Sequence, residues 1–160
     1  MIFLTVGTLF PFDRLVRAVD DAVASGVIEQ PVFAQIGRTK FVPKNIEYVE
    51  VIDKHTFDNK VTASDYIISH AGIGSITMAL ENAKPLLVMP RMKRYREHVN
   101  DHQVVTARKF EELGHILVAY DARDLPEGMR KLKNFIPRER KVNPEAVVDR
   151  IRRFLNSLQD

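Results

Sequence analysis

Residues 69–81 read S-H-A-G-I-G-S-I-T-M-A-L-E and follow the apolar run Tyr66-Ile67-Ile68. A short β-branched run, a glycine-rich turn and a helical pattern predict strand, tight loop and helix. Such a junction can hold an anion. Gly72 and Gly74 leave the backbone free to adopt positive φ and let a ligand come close. The first helical N–H groups have no partner within the helix and point into the turn. Ser75 either caps that helix or offers its hydroxyl to an anion. At helical spacing Gly74, Thr77 and Glu81 share one face, while Ile76, Leu80 and Ala83 line another that would pack on a sheet. Glu81 then stands about two turns from the loop, on the side where the sugar of a bound nucleotide could lie. The same residues also suit a plain glycine turn, with Glu81 a solvated acid and His70 bonded to a loop carbonyl. A dinucleotide fingerprint fits poorly, because Thr77 stands where a third glycine is expected and the strand Leu86 to Met89 ends in Pro90-Arg91 rather than an acid. The absence of G-K-[ST] excludes a P-loop.

Two further segments carry polar chemistry. Gly7-Thr8 breaks the apolar run Ile2 to Val6, with Asp13 close behind it as either a helix N-terminal acid or a site residue. Arg91 to Gln103 is a basic stretch with Arg91, Lys93, Arg94 and Arg96, followed by Asp101, His102 and Gln103. His98 and His102 have the i, i+4 spacing of a metal pair, but they straddle an expected helix start and lack a third ligand, so no metal site is expected. The basic stretch is by default a solvated loop.

The elements that position these residues follow from periodicity. Strands are expected at Ile2 to Val6, Val32 to Ile36, Ile46 to Val51, Tyr66 to Ile68, Leu86 to Met89 and Ile116 to Ala119. Helices are expected at Phe12 to Ala24, Asp53 to Ala63, after Gly74, from Asn100 or Asp101 to Gly114, Asp124 to Phe135 and Pro144 to Leu158. This alternation predicts an α/β fold, a Rossmann-like parallel sheet covered by helices on both faces. Ligands in such sheets gather beyond the carboxyl ends of the strands, where all three polar segments fall. At 160 residues the chain is expected to form a single domain. A net charge of +3 with 45% hydrophobic and 28% charged residues suits a phosphate ligand or an anionic surface and is too weak to argue for nucleic acid. The sequence has no cysteine, hence neither disulfide nor thiolate chemistry. The opening M-I-F-L-T-V-G has no charged leader region, so a cytoplasmic location is the expectation.

The chain resembles the C-terminal, nucleotide-sugar-binding half of family 28 glycosyltransferases, in particular the small stand-alone versions of that half. Those include the cytosolic subunit of the dolichol-linked UDP-N-acetylglucosamine transferase and bacterial exopolysaccharide glycosyltransferase subunits. The likeness rests on V-G-T-L-F-P-F-D-R-L at Val6 to Leu15, V-F-A-Q-I-G at Val32 to Gly37, S-H-A-G-I-G-S at Ser69 to Ser75, K-P-L-L-V-M-P at Lys84 to Pro90 and E-H-V-N-D-H-Q at Glu97 to Gln103. Ala83 stands where the family usually has glycine.

The resemblance implies one half of a two-domain GT-B enzyme, with Gly7, Thr8, His70, Ala71, Gly72, Gly74 and Ser75 around a donor diphosphate. It implies Glu81 on the ribose, and Asp101, His102 and Gln103 on the transferred sugar or diphosphate. Arg91 and Arg94 would screen the leaving diphosphate. No cofactor is implied beyond the UDP-sugar donor itself. Because a GT-B enzyme closes a cleft between two domains, the catalytic base and the polyprenyl-linked acceptor are expected on a membrane-anchored partner subunit. That partner would bring the chain to the cytosolic membrane face. The alternative is a non-enzymatic nucleotide-sugar-binding regulatory module.

Overall fold

Three apolar runs stack side by side at the centre of the sheet: β1 (Ile2–Thr5), β4 (Tyr66–His70) and β5 (Leu86–Met89). The computed structural model describes residues 1–139 and 144–158. The remaining strands are β2 (Val32–Gln35), β3 (Glu47–Val49) and β6 (Leu117–Val118). All pair in parallel in the order β3-β2-β1-β4-β5-β6. The helices are α1 (Asp13–Ala24), α2 (Lys54–Ala63), α3 (Ile73–Glu81), α4 (His102–Glu112), α5 (Leu125–Leu132) and α6 (Pro144–Asn156).

The central strands are apolar throughout because both of their faces are covered. Alternate residues serve alternate layers. Leu4, Ile68, Leu87 and Met89 meet Leu15, Val19 and Leu132 on the side of α1 and α5. Phe3, Ile67, Leu86 and Val88 meet Val61, Ile76 and Ala107 on the side of α2, α3 and α4.

The expected strand and helix order holds, with boundaries shifted at the site. β4 runs two residues further than the apolar pattern, so Ser69 and His70 are strand residues and Ser69 is fully buried. The last helix also departs from its neighbours. Among the described residues α6 buries none of its side chains, and Ile151, Phe154 and Leu155 are each more than half exposed.

Side-chain bonds fix the loops at the carboxyl end of the sheet. Asp13, the first residue of α1, accepts the backbone N–H groups of Lys40 and Phe41. Two turns on, buried Asp20 accepts those of Lys44 and Asn45 and the Asn45 side-chain amide. Together they lay residues 38–45 along the helix, which makes Asp13 a structural acid. Arg14 meets Glu97 in a two-pronged ion pair, 2.8 Å on each prong. Arg14 also donates to the carbonyl of Pro90, while Glu97 accepts the N–H of Met92. The side chains are only 14% and 9% exposed, so the pair binds the loop after β5 to α1 away from most solvent.

Arg14→Met would leave the largely buried Glu97 carboxylate with the Met92 N–H as its donor. The expected cost is about 2–3 kcal/mol, below the figure for a fully buried pair. Urea unfolding should show a lower midpoint at unchanged slope.

Candidate functional site

The strand order reverses between β1 and β4, and the loops leaving these two strands part there. A cavity of about 500 Å³ opens in the gap. Gly7 to Phe10 form one wall, Gly74, Ser75 and Met78 of α3 a second, and His98, His102 and Gln103 a third. His70 and Arg91 lie between them.

The Gly7 wall is held from behind. The Thr5 hydroxyl donates to Gln35 Oε1 at 2.8 Å, and Gln35 Nε2 donates to the carbonyls of Gly7 and Glu50. Gly7 has φ of +74°, a conformation that favours glycine, and a Cβ there would lie 2.9 Å from His70 Nε2. On the other side of the ring, a Cβ on Gly72 would fall 2.2 Å from His70 Cε1. The two glycines thus serve to admit an imidazole between two loops.

Gly72 is the N-cap of α3 with φ of −81°, and Gly74 is already helical. Neither uses the left-handed backbone that a glycine turn suggested. What Gly74 supplies is room, since a Cβ there would meet nothing within 4 Å. The first helical hydrogen bond is from Ile76 N–H to the Gly72 carbonyl. The N–H groups of Ile73, Gly74 and Ser75 therefore precede the helix's own bonding. Ser75 does not cap the helix; its hydroxyl sits 3.1 Å from His70 Nε2.

His70 is held neutral. Burial, followed by the nearby Arg91 guanidinium, lowers its pKa from the ordinary 6.5 to about 3. Arg91 is itself only 2% exposed. Its Nη2 donates to the carbonyls of Val6 and Phe10, both at 2.7 Å, and the guanidinium lies over the Phe12 ring. Burial pulls its pKa down to about 10, against the influence of Glu97. At that value it remains a cation at neutral pH.

Several expected positions are corrected by this geometry. Arg91 is a buried strut of the Gly7–Phe10 loop rather than a loop cation free to wrap a ligand, although its charge still acts on the cavity. Arg94 points elsewhere, 3.8 Å from the Asp121 carboxylate and over Tyr95, and does not line the cavity. Glu81 faces a separate depression with Leu80, Ile136 and Arg138. The helix presents Gly74, Ser75 and Met78 to the cavity, not the Gly74, Thr77, Glu81 stripe. Ala71 is buried in the core beneath α3. Asp101 is outside the cavity lining and accepts the Lys93 N–H at 2.7 Å, closing the loop on itself.

Gly7, Thr8, His70, Gly74, Ser75, His102 and Gln103 are brought together, with Gly72 packed on the far side of His70. Leu9, Phe10, Phe57, Met78 and His98 were not anticipated as lining residues. The L-F pair directly after Gly7-Thr8 was the available signal for Leu9 and Phe10. His98 sits edge-on to His102 with centroids 4.5 Å apart and 5.0 Å from Phe10, in the manner of packed rings.

The His70 shift has a defined sign. The unfolded chain takes up a proton near pH 6.5 while the folded chain does so only near 3, so the unfolded state binds more protons between these values. The stability contributed by the neutral ring is complete above 6.5 and is lost as pH falls through this window, by at most about 1.4 kcal/mol per unit. Denaturation at about pH 7 and about pH 5 should therefore show a larger loss for the wild type than for His70→Gln.

Comparison with known proteins agrees with this fold. The model of the glycosyltransferase family 28 C-terminal domain matches residues 1–156. The human UDP-N-acetylglucosamine transferase subunit ALG13 is 32% identical over 124 residues, which is 72% of this chain and 10% of that protein. The subunit of the same name from Cryptococcus neoformans is 35% identical over 104 residues, 64% of this chain and 50% of that protein. The chain thus spans from about a tenth to half of the length of these relatives. Among solved structures, the NMR structure of ALG13 superposes with a TM-score of 0.59 at 23% identity, covering 90% of this chain and 91% of that one. MurG of Acinetobacter baumannii superposes with a TM-score of 0.57 at 20% identity, covering 82% of this chain and 40% of that one. The sheet order and the matched fold are those of one half of a GT-B glycosyltransferase. By its sequence over nearly its full length, the chain belongs to the glycosyltransferase family 28 C-terminal domain family.

Proposed function

We propose that this chain is the donor-binding catalytic subunit of a UDP-sugar glycosyltransferase. With a membrane-anchored partner it transfers a hexose or N-acetylhexosamine to a polyprenyl-linked acceptor. The observation that carries this reading is the cavity at the β1/β4 reversal, which combines the N-terminus of α3 with a serine hydroxyl, an open glycine backbone and a buried cation. Family membership and the names of the relatives support it.

In this reading the donor diphosphate sits at the start of α3. The N–H groups of Ile73, Gly74 and Ser75 face its oxygens, and the helix dipole favours its charge. Arg91 adds a fixed positive field from a poorly solvated position, where charge acts more strongly than in water. As the glycosidic bond breaks, negative charge grows on the diphosphate, and these donors are already in place to meet it. Gln103 and His102 lie across the cavity on the side the transferred sugar would occupy.

The described residues include no helix long and apolar enough to cross a membrane. The acceptor and the base that deprotonates its hydroxyl are assigned to the partner. The exposed apolar face of α6 is the surface we assign to that subunit, which would place the chain at the cytosolic membrane face.

Calorimetric titration with UDP, UDP-N-acetylglucosamine, UDP-glucose and NAD tests the donor assignment. Uridine ligands should bind and NAD should give no heat. Ser75→Ala should weaken uridine-ligand binding by about tenfold, the value of one hydrogen bond to a charged group. Glu81→Ala should leave it unchanged. The purified chain alone should transfer little or no sugar until the partner is added, and vigorous transfer without it would overturn the subunit reading.

A further inference from the structure

We propose that Gln103 is a positioning residue whose side-chain amide fixes His70 as the Nε2–H tautomer and thereby makes Ser75 a hydrogen-bond donor into the cavity. The proposal rests on the donor-site reading only for the identity of the anion that Ser75 meets.

The chain of inference starts at Arg91. Its backbone N–H can only donate, and it lies 3.1 Å from Gln103 Oε1. That bond decides which end of the amide faces where. The Gln103 NH₂ is then the group directed at His70, 3.4 Å from Nδ1. An NH₂ beside Nδ1 requires a lone pair there, so the single proton of a neutral imidazole sits on Nε2. Nε2–H in turn donates to the Ser75 hydroxyl oxygen at 3.1 Å. With its oxygen accepting from the ring, Ser75 has its own O–H left to give, and it lines the cavity.

The opposite tautomer would reverse every step. Ser75 would then donate to Nε2 and present only lone pairs to an incoming anion. The doubly protonated ring is disfavoured by the groups around it. Arg91 faces it from the end of β5 and His98 from the loop before α4, both acting against a further positive charge. From α3 the ring meets Ser75, and from the loops after β1 and β4 it meets Gly7 and Gly72. Gln103 thus acts on the anion through two side chains, His70 and Ser75.

Nitrogen-15 spectra of the histidine-labelled full chain read the tautomer directly. The wild type should show His70 protonated at Nε2 and bare at Nδ1, with no titration between about pH 5.5 and about pH 8. Gln103→Leu should release this preference, so that the Nδ1–H form becomes populated. UDP affinity should fall about tenfold in Gln103→Leu and in Ser75→Ala, and the double variant should lose no more than either alone. A wild-type His70 protonated at Nδ1, or additive losses in the double variant, would overturn the proposal. Should Gln103→Leu not fold, the wild-type spectrum alone still decides. If UDP fails to bind the wild type while His70 shows the Nε2–H form, the relay stands and the donor assignment falls.

Discussion

A single buried guanidinium holds the carboxyl end of the sheet in shape. Arg91 follows β5 by two residues, yet its side chain reaches the carbonyls of Val6 and Phe10 in the segment after β1. Its own backbone N–H meanwhile orients Gln103 at the start of α4. Two chain segments, the Gly7–Phe10 loop and the start of α4, are therefore referred to one residue. Desolvating a guanidinium is expensive, and carbonyl dipoles, a facing aromatic ring and the nearby Glu97 carboxylate supply the compensation. The conformation of the Gly7–Phe10 loop follows from this arrangement, and so does the shape of the cavity.

The site around it carries charge in one place and neutrality in another. Positive potential comes from Arg91, which is fixed and shielded from water, and from the unpaired N–H groups of α3. The side chain at the centre, His70, is kept neutral by the same burial that makes Arg91 effective. An anion entering such a cavity meets groups that are already oriented, so little reorganisation is asked of the protein. Arg94, an exposed cation of the loop, is engaged with the Asp121 carboxylate and the Tyr95 ring at the surface instead.

Much of the architecture was legible because strands buried on both faces read as continuous apolar runs, and the helices between them carry a 3.6-residue period. The glycine-rich junction after β4 was legible for the same reason. What was hidden is instructive in physical terms. Arg91 sits in a run of basic residues and hydropathy assigns it to solvent; only the tertiary placement of two carbonyls makes it a core residue. Glu97 looked like one polar letter of a loop, yet its partner Arg14 lies 83 positions away. The face of α3 was misread by about one residue's rotation, because where a helix turns its stripe depends on how Ile76 and Ala79 seat in the core. Gly72 and Gly74 were marked for positive φ and for the close approach of a ligand; neither has positive φ, and one admits an imidazole ring while the other leaves open space.

The outermost strands are the shortest in the sheet, three residues in β3 and two in β6. An incoming strand needs a row of unpaired backbone groups to add itself to a sheet, and edges this brief present few of them. Short edges therefore favour recognition of a further polypeptide through side chains and loops and disfavour growth of the sheet from chain to chain, the usual route to fibrous aggregation.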